Sequence, residues 1–91
     1  MELKWTSKAV SDITRLYEIL ASVNQPAAAR TVQQLTAAPI TLLTNPHIGE
    51  RLEEFEPRYV RRIQIGHYEM RYEIVNSTIY LLRLWHTRED R

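Results

Sequence analysis

The carboxyl-terminal third of the chain most constrains the fold, because it reads as three short strands joined by two tight turns. The predicted strands cover residues 59–65, 68–75 and 78–85. The dipeptides Gly66-His67 and Asn76-Ser77 separate them, and two-residue connections of this kind are typical of β-hairpins. The pattern therefore predicts an antiparallel sheet in which consecutive strands are neighbours.

The sequence before these strands predicts a further strand and a helix. Residues 2–5 alternate polar and apolar side chains, and Thr6 or Ser7 can cap the helix that follows. The charged residues of this helix, among them Asp12, lie elsewhere on the helical wheel from its apolar stripe. The stripe recurs at steps of three and four, which predicts a core-facing side. It consists of Val10, Ile13, Tyr17 and Leu20.

A second helix is predicted after residues 24–25, since Pro26 suits the first turn of a helix. Pro39 falls inside its apolar pattern, where proline removes a hydrogen-bond donor and clashes with the preceding turn. We therefore expect a kink or a split into two pieces. The short joint between the helices predicts an antiparallel helical hairpin. The apolar stripe of the second helix consists of Ala28, Val32, Leu35 and Leu42.

These elements predict one α+β domain over residues 1–91, in the order β-α-α-β-β-β. A kinked helical hairpin should pack on a twisted antiparallel sheet. Residues 44–49 read as a turn and residues 50–56 as an acidic loop. The last strand is apolar on both faces apart from Arg83, which predicts a central place in the sheet.

Composition excludes several classes of function. The net charge of +1 is too balanced for a dedicated nucleic-acid coat. The chain has no cysteine, so disulfides and cysteine metal sites are ruled out. No apolar run could span a bilayer, and residues 1–5 lack the apolar region of a signal peptide. We therefore expect a cytoplasmic protein without a membrane partner.

Catalytic motifs with a nucleophile, a phosphate-binding glycine loop or paired histidines are missing from the sequence, which predicts no cofactor and no metal. A group of basic residues near the sheet is the stronger candidate for a catalytic site. If its members converged, they could bind a phosphodiester, with His86 as proton carrier. The alternative is a set of surface ion pairs with Glu69, Glu73, Glu89 and Asp90, which are common and weak. The basic group consists of Arg61, Arg62, Arg83, His86 and Arg88.

Taken in order, pieces of the whole chain resemble the RelE/ParE superfamily of toxins from type II toxin–antitoxin modules. The ending Trp85-His86-Thr87-Arg88 is similar to the Ile-x-His-Gly-Arg-Arg stretch of many ParE-like toxins. The other matching pieces are the first strand with Trp5, the helix from Ala9 through Asp12-Ile13 to Tyr17, the turn Asn45-Pro46-x-Ile48-Gly49, the strand Val60-Arg61-Arg62-Ile63 and the strand Tyr68-x-x-x-Tyr72.

The superfamily holds two activities. RelE-like members cut messenger RNA on the ribosome, whereas ParE-like members poison DNA gyrase and are not known as nucleases. RelE-type nucleases resemble one another in a third-strand arginine where this chain has Glu69, and often in a late tyrosine or histidine, whereas no tyrosine follows Arg88 here. A carboxylate at that position would repel phosphate. These departures and the split hairpin favour the ParE-like branch.

The resemblance implies a toxin that arrests growth by binding and poisoning DNA gyrase, with no cofactor. A cognate antitoxin, ParD-like or another small DNA-binding protein, would neutralise it, and operator DNA would be contacted only through that antitoxin. The alternatives are a RelE-like ribosome-dependent endoribonuclease and an inactive antitoxin-binding homologue. The residues expected to bind the target are Trp85, His86, Arg88 and Arg91. Those expected to bind the antitoxin are Tyr17, Leu20, Arg71 and Arg83.

Overall fold

The computed structural model describes residues 1–88 and confirms the predicted order of strands and helices. It adds a two-residue strand in the loop that precedes the three carboxyl-terminal strands. A 3₁₀ segment follows the second helix, and another, Glu53–Phe55, follows the added strand. The elements are β1 (Glu2–Trp5), α1 (Ser7–Ala21), α2 (Gln25–Ala37), the 3₁₀ segment Ala38–Leu43, β2 (Glu50–Arg51), β3 (Val60–Ile65), β4 (Tyr68–Val75) and β5 (Thr78–His86).

Within residues 1–88 the strands form one five-stranded sheet in the order β1-β5-β4-β3-β2. The antiparallel neighbours β3, β4 and β5 follow one another as the two hairpin turns predict. Strand β1 runs parallel to β5, with Leu3 opposite Ile79, so the sheet is mixed. No turn joins these two strands directly, and their direction therefore depends on how the helical hairpin returns the chain.

The two hairpin turns owe their geometry to Gly66 and Asn76, whose φ angles are +60° and +54°. Left-handed backbone is readily adopted by glycine and tolerated by asparagine better than by most residues. These two residues therefore fix where β4 begins and ends. Their spacing explains why the bounds of β4 match the prediction to the residue.

Both helices begin with side-chain caps. Thr6 accepts from the amide of Ala9 at 3.2 Å and donates to the carbonyl oxygen of Leu81 at 2.6 Å, which ties the start of α1 to β5. Asn24 accepts from the amide of Ala27 at 3.0 Å at the start of α2. The α-helix stops before Pro39, and a 3₁₀ segment continues from there. The predicted split of the second helix is thereby confirmed.

The main hydrophobic core lies between the helices and one face of the sheet. Met70 and Tyr72 are fully buried there, as the alternation of β4 predicts. Strand β5 lies between β1 and β4, which confirms its predicted central place. The buried residues of this cluster are Ala9, Leu16, Leu35, Leu42, Ile65, Met70, Tyr72, Ile79, Leu81 and Leu84.

The core-facing side of α1 differs from the predicted stripe. Val10 is 48% exposed, while Ala9, Asp12 and Leu16 form the buried side, with Ile13 half-buried beside it. The predicted core role of Val10 was therefore wrong. The stripe was misplaced because it was drawn from apolar residues alone. A carboxylate such as that of Asp12 can also be buried when it is paired.

Candidate functional site

Asp12 of α1 and Arg83 of β5 form an ion pair at the edge of the sheet. The Nε atom of Arg83 lies 2.8 Å from Asp12 Oδ2, and Nη2 lies 3.2 Å from Oδ1. The amide of Leu84 also donates to Asp12 Oδ2, at 3.0 Å. The register of β1 with β5 ends at Leu81, so Asp12 accepts from the strand beyond the point where β1 stops. The hydrogen bond to Asp12 raises the pKa of the Arg83 guanidinium.

Arg62, Arg71 and Arg83 stand opposite one another across β3, β4 and β5, and we call them the arginine row. A bulge creates this alignment, because Tyr72 pairs with Leu81 while Arg71 pairs with Arg83. Leu82 is therefore skipped in the register. A bulge increases the local twist and re-aims neighbouring side chains, which accounts for an arginine that reaches around to α1.

Carboxylates neutralise the arginine row. Arg62 donates to Glu50 at 2.8 Å and to Glu69 at 3.1 Å. Arg71 donates through Nε to the other oxygen of Glu69, at 3.3 Å. The hydrogen bond and charge of Glu50, followed by the charge of Glu69, raise the pKa of the Arg62 guanidinium. The third member, Arg83, is paired with Asp12, so each positive charge of the row has a carboxylate beside it.

The guanidinium of Arg71 also contacts two aromatic rings. Its Cζ atom lies 4.7 Å from the ring centroid of Trp85 and 5.6 Å from that of Phe55. Both distances are within the range of cation–π attraction. Trp85 is only 8% exposed. The structure thus brings together Trp85, predicted for the target, and Arg71, predicted for the antitoxin, in one packed cluster.

Arg61 projects to the opposite side of β3 from Arg62, since neighbouring residues of a strand alternate. Its Nη1 atom donates to the carbonyl oxygen of Gly49 at 2.6 Å and to that of His47 at 3.1 Å. These bonds hold the 44–49 turn against the sheet. Arg61 therefore has a structural task that the sequence did not reveal.

Tyr72 holds the same turn from inside the core. Its hydroxyl donates to the carbonyl oxygen of Pro46 at 2.7 Å and accepts from the amide of Gly49 at 3.0 Å. Burial raises the pKa of Tyr72, although the bond from Gly49 and the charge of Arg61 oppose that shift. A Cβ atom on Gly49 would lie 2.6 Å from the Tyr72 hydroxyl oxygen, so this close approach requires glycine.

A groove of about 650 Å³ lies between β3 and the end of α2 with the 3₁₀ segment that follows it. It lies beside Ile63 and Ile65, beyond the part of β3 that pairs with β2. Polar and apolar side chains line it, among them the paired Arg62 and Glu69. Representative lining residues are Gln34, Ala38, Thr41, Ile48, Ile63 and Ile65.

The predicted site residues thus divide among separate places. Tyr17 and Leu20 are half-buried on α1, Arg71 lies on β4 among its aromatic neighbours, and Arg83 joins α1 to β5. Of the residues predicted to bind the target, His86 and Arg88 lie at the end of β5, and Arg91 falls outside the described residues.

No helix within residues 1–88 is long and apolar enough to cross a membrane. The same residues contain no cluster of three or more histidine, aspartate or glutamate side chains that could hold a metal ion.

Comparison with known proteins decides the family. The family model described as the ParE toxin of the type II toxin–antitoxin system parDE matches residues 3–91. The chain belongs to the ParE toxin family. A chain from the structure of the chromosomal ParDE system of P. aeruginosa has the same fold as this ParE-family chain, with a TM-score of 0.80. The two are 24% identical, over 94% of this chain and 95% of that chain. No curated protein matches the sequence significantly.

Sequence reasoning missed Asp12 as the partner of Arg83. A signal was present, because Asp12 shares a helical face with Ala9 and Leu16, while Arg83 interrupts an apolar strand. An acidic and a basic residue that each interrupt an apolar pattern are candidates to pair with each other, because a buried charge requires a partner. The bulge at Leu82 left no such signal, since both registers of β5 present apolar residues to the core.

Proposed function

We propose that this ParE-family chain is a non-enzymatic toxin that inhibits DNA gyrase and is neutralised by a cognate antitoxin. Membership of the family supports the toxin–antitoxin part. The main support for a non-enzymatic mechanism is that each member of the predicted ribonuclease group on the sheet is already bonded within the fold. Arg61 binds backbone carbonyl groups, whereas Arg62 and Arg83 bind carboxylates.

Electrostatics oppose binding of a phosphodiester on this face. The three arginines of the row face three carboxylates, those of Glu50, Glu69 and Asp12. An RNA phosphate would have to displace Glu69 from two arginines at once, and like charges at short range repel. Transition-state stabilisation in nucleases requires positive groups aimed at the developing charge. This arrangement favours gyrase inhibition over the RelE-like alternative.

The proposed contact with gyrase is the end of β5 and the tail, which we define as residues 87–91. Thr87 and Arg88 are exposed, and Arg88 carries a positive charge beyond the sheet. Trp85 is packed against Arg71, so it would support the base of the tail. Action on gyrase would take place in the cytoplasm.

The proposed antitoxin surface begins on the outer side of α1, around Tyr17 and Leu20. Apolar side chains near them remain open to a partner, since Val10 and Ile19 are 48% and 52% exposed. From there an antitoxin segment would pass Arg83 and reach Arg71 on the sheet. A segment that is disordered when free can cover such a path by folding as it binds. A carboxylate on it would bind N–H groups of Arg71 or Arg83 other than those that donate to Glu69 or Asp12.

Gyrase assays with purified protein test the proposed activity. We expect inhibition of DNA supercoiling and trapping of cleaved DNA by gyrase, and filamentous cells when the chain is expressed without an antitoxin. The matched measurement is primer extension on messenger RNA from the same cells. Rapid arrest of translation with cleavage at ribosomal A sites, beside normal supercoiling, would establish the ribonuclease alternative instead. A full-length chain that affects neither process would identify an antitoxin-binding homologue.

A further inference from the structure

The base of the tail is held by two backbone hydrogen bonds that differ in their acceptors. The amide of Thr87 donates to the carbonyl oxygen of His67 at 2.8 Å. The amide of Arg88 donates to Nδ1 of the His86 imidazole at 3.1 Å. The first acceptor is a peptide oxygen, whereas the second belongs to a side chain.

The protonation state of His86 decides whether the second bond can exist. A neutral imidazole has one donor and one acceptor nitrogen, and both nitrogens become donors when the ring is protonated. Acceptance at Nδ1 therefore requires neutral His86 with its proton on Nε2.

Two titratable rings face His86 from the neighbouring hairpin. His67, in the turn before β4, stacks on it at 5.9 Å between centroids with 22° between the ring planes. Tyr68, at the start of β4, meets it edge-on at 5.2 Å. The charge next along the chain is that of Arg88 itself. These contacts fix the ring of His86, so that its Nδ1 atom points at the backbone that leaves β5.

We propose that His86 is a positioning residue: its Nδ1 acceptor orders residues 87–88 at the point where the chain leaves β5. The positioning itself is independent of the target. Its consequence for toxicity rests on the proposed function, in which Arg88 contacts gyrase from this base.

Three substitutions separate the acceptor from the ring. His86→Asn retains an acceptor near the Nδ1 position. His86→Gln moves its carbonyl oxygen one bond further out, and His86→Ala removes the acceptor. The probe is hydrogen exchange of the Arg88 amide in the full chain by NMR, corrected for the intrinsic rate of exchange. The Thr87 amide is the control within the same molecule, because its acceptor is the peptide oxygen of His67.

We expect the Arg88 amide of the native chain to be roughly two- to tenfold more protected than that of the Ala chain, the range given by the net worth of one hydrogen bond. The His86→Asn chain should keep this protection, and the Gln and Ala chains should lack it. The Thr87 amide should stay protected in every chain. Equal protection of Arg88 in the native and Ala chains, or failure of Asn to restore it, would overturn the positioning role.

Gyrase inhibition by the same proteins distinguishes the two proposals. His86→Asn should inhibit more strongly than His86→Ala, in step with the difference in Arg88 protection. Protection that follows these expectations in proteins that never inhibit gyrase would leave His86 as a positioning residue and refute the proposed target. Full inhibition by a His86→Ala chain whose Arg88 amide is unprotected would show that order at the tail base has no part in activity.

Discussion

Asp12 and Arg83 lie 71 positions apart in the sequence and form a two-point ion pair that joins α1 to β5. The same carboxylate accepts from the Leu84 amide. The side chain of Asp12 is 7% exposed and that of Arg83 is 37% exposed, so water screens only one partner well. Removal of the acid therefore leaves the Leu84 amide without this acceptor, whereas removal of the base leaves the bond from the Leu84 amide to Asp12 in place.

Asp12→Ala should destabilise the fold more than Arg83→Ala. Loss of hydrogen bonds to a charged group costs about 1.5–3 kcal/mol, and we place Asp12→Ala near 2 kcal/mol because Arg83 can turn to solvent. Arg83→Ala should cost less, since Asp12 keeps the Leu84 amide. Chemical denaturation of both variants measures the two free energies of unfolding. A larger loss for Arg83→Ala would contradict this account of the pair.

The antitoxin complex should dissociate faster when either Arg71 or Arg83 is replaced by alanine. Each guanidinium can offer a charge-assisted bond to a carboxylate of the antitoxin, worth about 1.5–3 kcal/mol when desolvated. Arg71→Ala is the cleaner test, because its loss leaves the Asp12–Arg83 pair intact. Surface plasmon resonance with the cognate antitoxin measures the dissociation rates, and Arg58→Ala serves as the surface control. Unchanged rates for both variants would remove these arginines from the interface.

Local patterns predicted the carboxyl-terminal half of the fold because turn residues alone determine it. Gly66 and Asn76 set the hairpins, and alternation set the buried face that holds Met70 and Tyr72. The parallel pairing of β1 with β5 could not be read in the same way, since it depends on contacts between distant parts of the chain. The buried side of α1 was misread because the pairing of Asp12 is also a distant contact.

The candidate site was less predictable than the fold. The sequence predicts a set of basic residues, but the partners of each residue decide what it can do. Arg61 and Arg62 are adjacent in sequence, yet one holds a turn and the other binds Glu50 and Glu69. Glu69 neutralises Arg62 because the register of β3 with β4 brings the two side chains together. The sequence constrains that register only when the positions of the hairpin turns are known.

The pair formed by Arg58 and Glu73 should contribute to stability in neutral solution and not in acid. Two hydrogen bonds, at 2.7 and 3.0 Å, join them, and the bonds from Arg58 lower the pKa of Glu73. A carboxyl group with a lowered folded-state pKa stabilises the fold above its unfolded pKa of about 4.3 and loses that effect as pH falls through the folded value.

Denaturation of the native and Arg58→Ala chains between pH 2 and 7 measures this effect. The difference in unfolding free energy between them should be constant near neutrality and shrink below about pH 4.3. A difference that persists unchanged in acid would show that Arg58 acts through packing and not through the charge of Glu73.

Tyr72→Phe should loosen the 44–49 turn without altering the sheet. The hydroxyl is the acceptor for the Gly49 amide and the donor to Pro46, and a buried group left without its partner costs about 1–3 kcal/mol. Burial raises the pKa of Tyr72, so the native fold should also lose stability as pH rises above about 10, whereas the phenylalanine variant should lose less. Denaturation curves at pH 7 and pH 10.5 test both expectations.

Deletion of residues 87–91 should spare the fold and abolish gyrase inhibition. Among residues 87 and 88 the structure shows exposed side chains and two backbone hydrogen bonds, with no contribution to the hydrophobic core. Exposed chain ends of this kind tolerate truncation. Arg88→Ala should give a graded loss of inhibition, since it removes one charge and keeps the backbone bond to His86. Lys8→Ala, which removes one exposed charge far along the sequence, is the matched control.

Thermal melts and supercoiling assays on the same preparations separate folding from activity. The truncated chain should melt within a few degrees of the native chain, because the loss of two exposed hydrogen bonds is worth about 1 kcal/mol and that shifts the midpoint of a domain this size by roughly 4–8 °C at most. Its inhibition of gyrase should be undetectable. A truncated chain that still inhibits gyrase, beside an inactive but folded His86→Ala chain, would place the activity on the imidazole and not on the tail, and would reopen an enzymatic mechanism.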